Sequence, residues 1–298
     1  MKKKSWVILA LAASVSLGSG ISAMAATGWV QEGSNWAYYN SAGSREYNEW
    51  KKGGDGYWRY LNGNGVMAVD SWVDNDDYYV DSNGIMVAGK WLQVPNSESD
   101  TGYDWYYFNS TGKCLKERWE KINNNWYYFD DTGLMQTGWV LDDMYYCASN
   151  GVMQTGWQKI DGAWYYFGNE KNGAMQVGWQ IVDHEYYYIV DSGVMQTYWR
   201  KIDGNYYFFG ANGVRRTGWQ KIWGKWYYLD ENGVMQTGWQ KIKGVWYYFG
   251  GASDGSMKTG WQTIHGKTYY FDSEGAMAVG TVTIGGTKYE FNSSGALK

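Results

Sequence analysis

Short runs in which aromatic and β-branched residues alternate with polar ones fill this chain, arranged in pairs around turn residues. In one clear copy, Gly156-Trp157-Gln158-Lys159-Ile160 is followed by Asp161-Gly162 and then by Ala163-Trp164-Tyr165-Tyr166-Phe167. Two such runs around an Asp-Gly, Asn or Gly-Gly pair predict a β-hairpin, because those residues tolerate the positive φ that a tight turn requires. Side chains of a strand alternate between faces. Trp164 and Tyr166 are therefore expected on one face of the hairpin, and Tyr165 and Phe167 on the other.

The pattern repeats. Its leading aromatics are Trp29, Trp50, Trp72, Trp91, Trp119, Trp139, Trp157, Trp179, Trp199, Trp219, Trp239 and Trp261, with Thr281 in a thirteenth position, at spacings between 18 and 28 residues. Each unit closes with a polar turn and a Gly-x-Met segment. Self-similarity at so short a period predicts an all-β solenoid of hairpins of about 20 residues, in which each unit contacts its neighbours and stacking builds the core. An isolated two-stranded hairpin is marginal in water. The array is expected to run as one domain over residues 26–298, with irregular first units over 26–90. A single proline, Pro95, lies in an insertion over 93–102, where an irregular loop or kink is expected. The last unit, 281–298, carries Thr281, Lys288 and Glu290 in place of aromatics and has the character of a cap.

Residues 1–25 have the order of a secretory signal: Lys2, Lys3 and Lys4, an apolar run from Trp6 to Leu17, and Ala23-Met24-Ala25 as the cleavage site. Loss of the three lysines would take the formal net charge from -4 to -7. Acidic and basic residues are interspersed. Such a chain has neither the basic groove that single-strand nucleic-acid binders add to their aromatics nor a surface suited to anionic membranes. No other stretch is long and apolar enough to be read as a membrane span. Export would permit a bridge between Cys114 and Cys147. They stand at different repeat positions with a whole unit between, which favours two small buried thiols. No metal-ligand spacing occurs and no cofactor is implied.

Three repeat positions define a candidate site: the leading tryptophan, the aromatic seven residues on, and the second tyrosine of the neighbouring hairpin, with methionine as a floor. A cage of electron-rich ring faces suits a quaternary ammonium ion, which has no hydrogen bond to donate and is held by cation–π attraction, about 2 kcal/mol when desolvated. Methionine adds a soft, adaptable wall.

The units Thr137-Gly138-Trp139, Thr155-Gly156-Trp157 through Met175, Thr217-Gly218-Trp219 through Met235 and Thr237-Gly238-Trp239 through Met257 resemble the choline-binding (cell-wall-binding) repeats of Gram-positive surface proteins. The resemblance covers residues 27–298. It implies a left-handed β-solenoid whose inter-hairpin sites hold choline or phosphocholine groups of cell-wall teichoic or lipoteichoic acid. Carried over unit by unit, it gives Trp157, Trp164, Tyr188 and Met175; Trp219, Trp226, Tyr248 and Met235; and Trp239, Trp246, Tyr270 and Met257. Three more sets follow: Trp50, Trp58, Tyr79 and Met67; Trp119, Trp126, Tyr146 and Met135; and Trp179, Tyr186, Phe208 and Met195. Asp77 and Met144 replace the second aromatic after Trp72 and Trp139, and Thr268 with Glu290 spoil the last junction. Arg215 is expected to floor and disable the set of Trp199, Tyr206 and Tyr228. Arg45 and Cys114 are the expected floors at Trp29 and Trp91. Tyr165, Phe167, Tyr227 and Phe249 are assigned to the core.

Glucan-binding domains and clostridial toxin receptor-binding arrays have similar repeats, so polysaccharide or host-receptor binding stands as the alternative. Tryptophan in the seventh position or its equivalent, as at Trp36, Trp105, Trp126, Trp164, Trp226 and Trp246, favours choline. Enzymatic activity is not expected. His184 and His265 fall in hairpin turns, as do the paired carboxylates Asp142 and Asp143, where Asp serves the backbone. A secreted protein held non-covalently on the bacterial wall, without a transmembrane anchor, follows from the resemblance. Whether the chain forms a homodimer, and which polymer it meets, stays open.

Overall fold

The computed structural model describes residues 27–99 and 102–298, and the expected signal segment lies outside them. Among the described residues the regular structure is all strand, 26 in number, from Gly28–Glu32 to Thr287–Phe291. Each strand pairs only with its partner in the same hairpin, giving 13 antiparallel two-stranded sheets. The fold is the expected all-β solenoid of stacked hairpins. By compactness the chain divides into two units, one ending at Met153 and one beginning at Gln154, both built from the same repeat.

Register follows from the turns. In the Trp157 hairpin, Trp157 lies opposite Tyr166 and Lys159 opposite Trp164, with Asp161 and Gly162 at the tip at φ 49° and 85°. Two successive positive φ values match the right-handed twist of the flanking strands. The same tip carries His184 at φ 67° and His265 at φ 46°, which puts both histidines in turns. Trp223, at φ 48°, stands 77% exposed on another.

After its second strand each unit turns back through a short loop, closed in most units by an Asp or Asn side chain. Asp230 Oδ1 accepts from the amides of Asn232 and Val234, at 3.0 and 2.8 Å. The following methionine then aligns with the preceding hairpin. The Met257 amide donates to the Trp226 carbonyl at 2.8 Å, and Met195 does the same to Trp164. These bonds tie successive hairpins together by their main chains.

Within each of the two compact units the core is a column to which nearly every second strand contributes its last residue. Phe108, Phe129, Phe167, Phe209, Phe249 and Phe271 end the second strands and are fully buried, as are Leu229 and Ile189 at the same position. Each contributes about 1.5–3 kcal/mol by leaving water. Ile160, Ile202, Ile222, Ile242 and Ile264, which end the first strands, are buried at the tip ends of their hairpins. Cys147 takes a column position at 0% exposure, and Cys114 is 4% exposed; both are free thiols.

The insertion differs from the sequence expectation. Rather than forming an irregular loop from residue 93, it lengthens a hairpin: strands Lys90–Pro95 and Tyr103–Phe108 pair out to Pro95 opposite Tyr103. Asn96 N donates to Gly102 O at 3.0 Å at the tip. The alternating run Lys90-Trp91-Leu92-Gln93-Val94 has the period of a strand, and its continuation outweighs the proline at its end. The unit that begins at Gly280 joins the preceding one in the same way: Leu297 N donates to Thr268 O, and Phe291 is 2% exposed.

Candidate inter-hairpin cages

Every hairpin has two unlike faces, and stacking sets one face of a unit against the other face of the next. In the Trp239 hairpin, Trp239, Lys241, Trp246 and Tyr248 share a face, since Trp239 lies opposite Tyr248 and Lys241 opposite Trp246. The following hairpin meets it with Tyr269 and Phe271, whose rings lie 4.8 and 5.6 Å from that of Trp239. Trp246 stands edge-on to Trp239 at 6.3 Å. Trp239, Trp246, Tyr269, Met277 and Ser294 line an open cavity of about 410 Å³.

The same construction recurs. Trp219, Trp226, Tyr247, Met257 and Glu274 line a cavity of about 340 Å³. Trp91, Trp105, Tyr127 and Met135, with Ser149 and Asn150, line one of about 280 Å³. Each is made by three consecutive units: two rings from the first, a tyrosine and methionine from the second, and a turn residue from the third. The turn glycine of the third unit lies directly on the methionine. A Cβ on Gly275 would fall 2.4 Å from Met257 Sδ, and one on Gly295 would fall 2.3 Å from Met277 Sδ. This contact, together with φ near 80°, is the physical content of the Gly-x-Met motif.

Equivalent ring pairs occur at Trp50 with Tyr78, Trp119 with Tyr145, Trp157 with Tyr187 and Trp199 with Tyr227, at 5.2, 5.1, 4.8 and 5.0 Å. The amides of Met86, Met153, Met195 and Met235 bond there to the carbonyls of Trp58, Trp126, Trp164 and Tyr206. Seven junctions among the described residues therefore bring together three rings and a methionine. The second ring is the accessible one: Trp58, Trp164, Trp226 and Trp246 are all about 40% exposed. Burial pushes the hydroxyls of Tyr187 and Tyr227 up, so both stay neutral.

Two of the four positions in each set differ from the sequence-based assignment. Tyr188, Tyr248, Tyr270, Tyr146, Phe208 and Tyr79 do not form the third wall. Each backs the leading tryptophan of its own hairpin, at 5.1 to 5.5 Å. The wall is the preceding residue, on the opposite face, so Tyr227 lines a cage as well as being buried. Met67, Met135, Met195, Met235 and Met257 each serve one junction earlier than assigned, because the linker runs back along the preceding hairpin. Met175 lies under the turn glycine Gly193.

Two junctions set aside from sequence are complete, with Met135 at Trp91 and Met235 at Trp199. One counted as complete is not: Arg215, not methionine, accompanies Trp179, Tyr186 and Tyr207. At Trp29 the wall position is taken by Arg59, 2% exposed and paired with Asp55 at 2.6 Å. At Trp72, Asp77 stands in the ring position, bonded through its carbonyl to Cys114 N and through its carboxylate to Lys113 and Lys116. At Trp261, Thr268 and Leu297 replace a ring and the methionine. Period-2 alternation already separated Tyr247 from Tyr248; the missing signal was that identical units stack unlike faces together.

Comparison with known proteins gives three findings. The choline-binding repeat family model matches residues 116–155, 142–177, 154–198, 196–235, 216–259 and 258–298, and a cell wall binding repeat model matches 27–44 and 101–114. Among solved structures, CbpJ from Streptococcus pneumoniae TIGR4 is 29% identical, with a TM-score of 0.60 over 91% of this chain and 99% of that one. Choline binding protein F from Streptococcus pneumoniae, solved in the presence of a peptidoglycan analogue, is 28% identical, with a TM-score of 0.59 over 92% and 99%. Glucosyltransferase-S of Streptococcus mutans is 27% identical over 140 residues, 39% of this chain and only 10% of that enzyme's length.

Proposed function

The chain belongs to the choline-binding repeat family, and on that premise we propose that it is a non-catalytic protein of the bacterial cell surface that grips choline or phosphocholine groups of the wall in the cages between its hairpins. The observation that carries this reading is the seven-fold recurrence of three rings and a methionine. A packing role alone would be met by Leu, Ile or Val, and would not leave the second ring about 40% exposed.

Chemistry supports a quaternary ammonium. Ring faces and a thioether line the cages and offer a methylated cation attraction without asking it for hydrogen bonds. Glu274, at the rim of the Trp219 cage, adds a favourable negative charge. Lys221 and Lys241, each about 6 Å above the ring of Trp226 and Trp246, provide counter-charges for a phosphate attached to the choline. Several weak cages on one chain gain avidity on a polymer that carries many choline groups. Such a protein would be secreted and held non-covalently on teichoic or lipoteichoic acid.

The likeness to Glucosyltransferase-S favours a second reading, a glucan ligand stacked on the same rings. Retention on a choline or tertiary-amine resin, with elution by millimolar free choline, is expected. Retention on dextran and not on the amine resin would replace choline with glucan.

A further inference from the structure

The junction after the Trp179 hairpin contains its own cation. Arg215 occupies the position of the methionine, and its amide donates to the Tyr186 carbonyl at 2.8 Å as the methionine amides do elsewhere. Its stem fills the methionine's place under the turn glycine: a Cβ on Gly233 would lie 2.6 Å from Arg215 Cδ, where one on Gly255 would lie 2.3 Å from Met235 Sδ. Beyond that stem the guanidinium carbon lies 4.1 Å from the centre of the Tyr186 ring and 6.0 Å from that of Trp179. Nη1 donates to Asn232 O at 2.7 Å and Nη2 to Glu231 O at 3.3 Å, both in the turn of the unit after next.

Arg215 forms no ion pair with a carboxylate among the described residues. Its charge is met by ring faces and carbonyl dipoles, the environment a cage offers to an ammonium ion. Tyr207 completes the third wall, 5.0 Å from Trp179. The three-ring set is therefore intact.

We propose that Arg215 is a tethered cation that fills the cage of Trp179, Tyr186 and Tyr207, making this junction a ligand-independent clasp over a latent quaternary-ammonium site. The inference rests on the cage reading of function given above. Tethering gives the guanidinium an effective concentration in the millimolar range or above, since it is held on the same chain. Free choline would have to displace it and leave its N–H groups without the Glu231 and Asn232 carbonyls. The other cages gain stability only when ligand is present, by mass action. This one holds its three units together without ligand.

The test is Arg215→Met in the full mature chain, with two readings. Calorimetric titration with choline should give one more bound choline per chain in the variant than in the wild type. Thermal unfolding in choline-free buffer should begin at lower temperature in the variant, and millimolar choline should restore it. Equal stoichiometry, or an unchanged ligand-free transition, overturns the proposal. If neither protein binds choline, the choline reading fails, and the ligand-free transition alone decides whether the clasp exists. The reciprocal change Met257→Arg should remove one bound choline and raise the ligand-free transition; a variant that keeps full stoichiometry overturns the proposal even if Arg215→Met does not fold.

Discussion

The amide of Met277 donates to the carbonyl of Trp246 at 2.9 Å, so a single hydrogen bond fixes the floor of a cage relative to its most exposed ring. Ring and floor come from different repeats. A cage therefore cannot be assembled from one unit's residues.

Replacing Tyr269 by Leu should remove one binding site, whereas replacing Tyr270 by Leu should leave the Trp239 cage intact. Tyr269 lies 4.8 Å from Trp239, while Tyr270 backs Trp261 in its own hairpin. One ring of a cage that is partly open to solvent is worth about 1–2 kcal/mol, roughly five- to thirtyfold in affinity. Choline stoichiometry for the two variants, read by tryptophan fluorescence, distinguishes this wall from the one inferred from sequence. Equal losses would refute it.

Gly275→Ala should destabilise the protein by about 2–4 kcal/mol, combining left-handed backbone strain with overpacking. The added methyl would lie 2.4 Å from Met257 Sδ. Gly266→Ala, at φ 76° with nothing within 4 Å of the new methyl, should cost only the strain, about 1–2 kcal/mol. Urea unfolding of the two variants measures the difference.

Acid should loosen the first described hairpins. The Arg59 guanidinium beside Asp55 holds its carboxyl down at about 2, below its ordinary 3.8. A depressed carboxyl contributes stability above its unfolded pKa, and that contribution disappears as pH falls from about 4 through 2. Asp55→Asn should lower stability at neutral pH and flatten its decline over that window, as followed by tryptophan fluorescence against pH.

Both cysteines should resist alkylation in the native state. Burial pushes the Cys114 thiol up to about 11 and that of Cys147 up to about 12, which leaves almost no thiolate at pH 8. Iodoacetamide at pH 8 should label neither within the time that labels both in denaturant. Rapid native labelling at Cys147 would contradict its place in the core column.

Hairpins, their tips and the core phenylalanines were legible in the sequence because they depend on local chemistry: a Gly or Asp able to take positive φ, and alternation with period 2. Tyr165 and Phe167 were separated from Trp164 and Tyr166 on that ground alone. What was not legible is which unit supplies which wall. Tyr247 and Tyr248 are chemically identical neighbours, and only stacking decides that Tyr247 reaches Trp219. The direction of the linker likewise moved Met257 and Arg215 one junction back. Both choices depend on contacts between units, where a period alone is silent. The strand that carries Pro95 was hidden for another reason, as the proline occurs at the last paired position and does not interrupt the pairing before it.

Because a cage such as that of Trp239 borrows its wall and floor from the next unit and its roof from the unit after that, the repeat has a reading direction along the chain. In-frame duplication of one period adds one hairpin and restores every borrowed part, wherever the copied segment begins. A binding site can thus be gained by copying alone, without a new residue being invented. Loss is asymmetric: trimming the last unit would strip Ser294 and Gly295 from the Trp239 cage, while trimming the first described unit would leave each later cage whole.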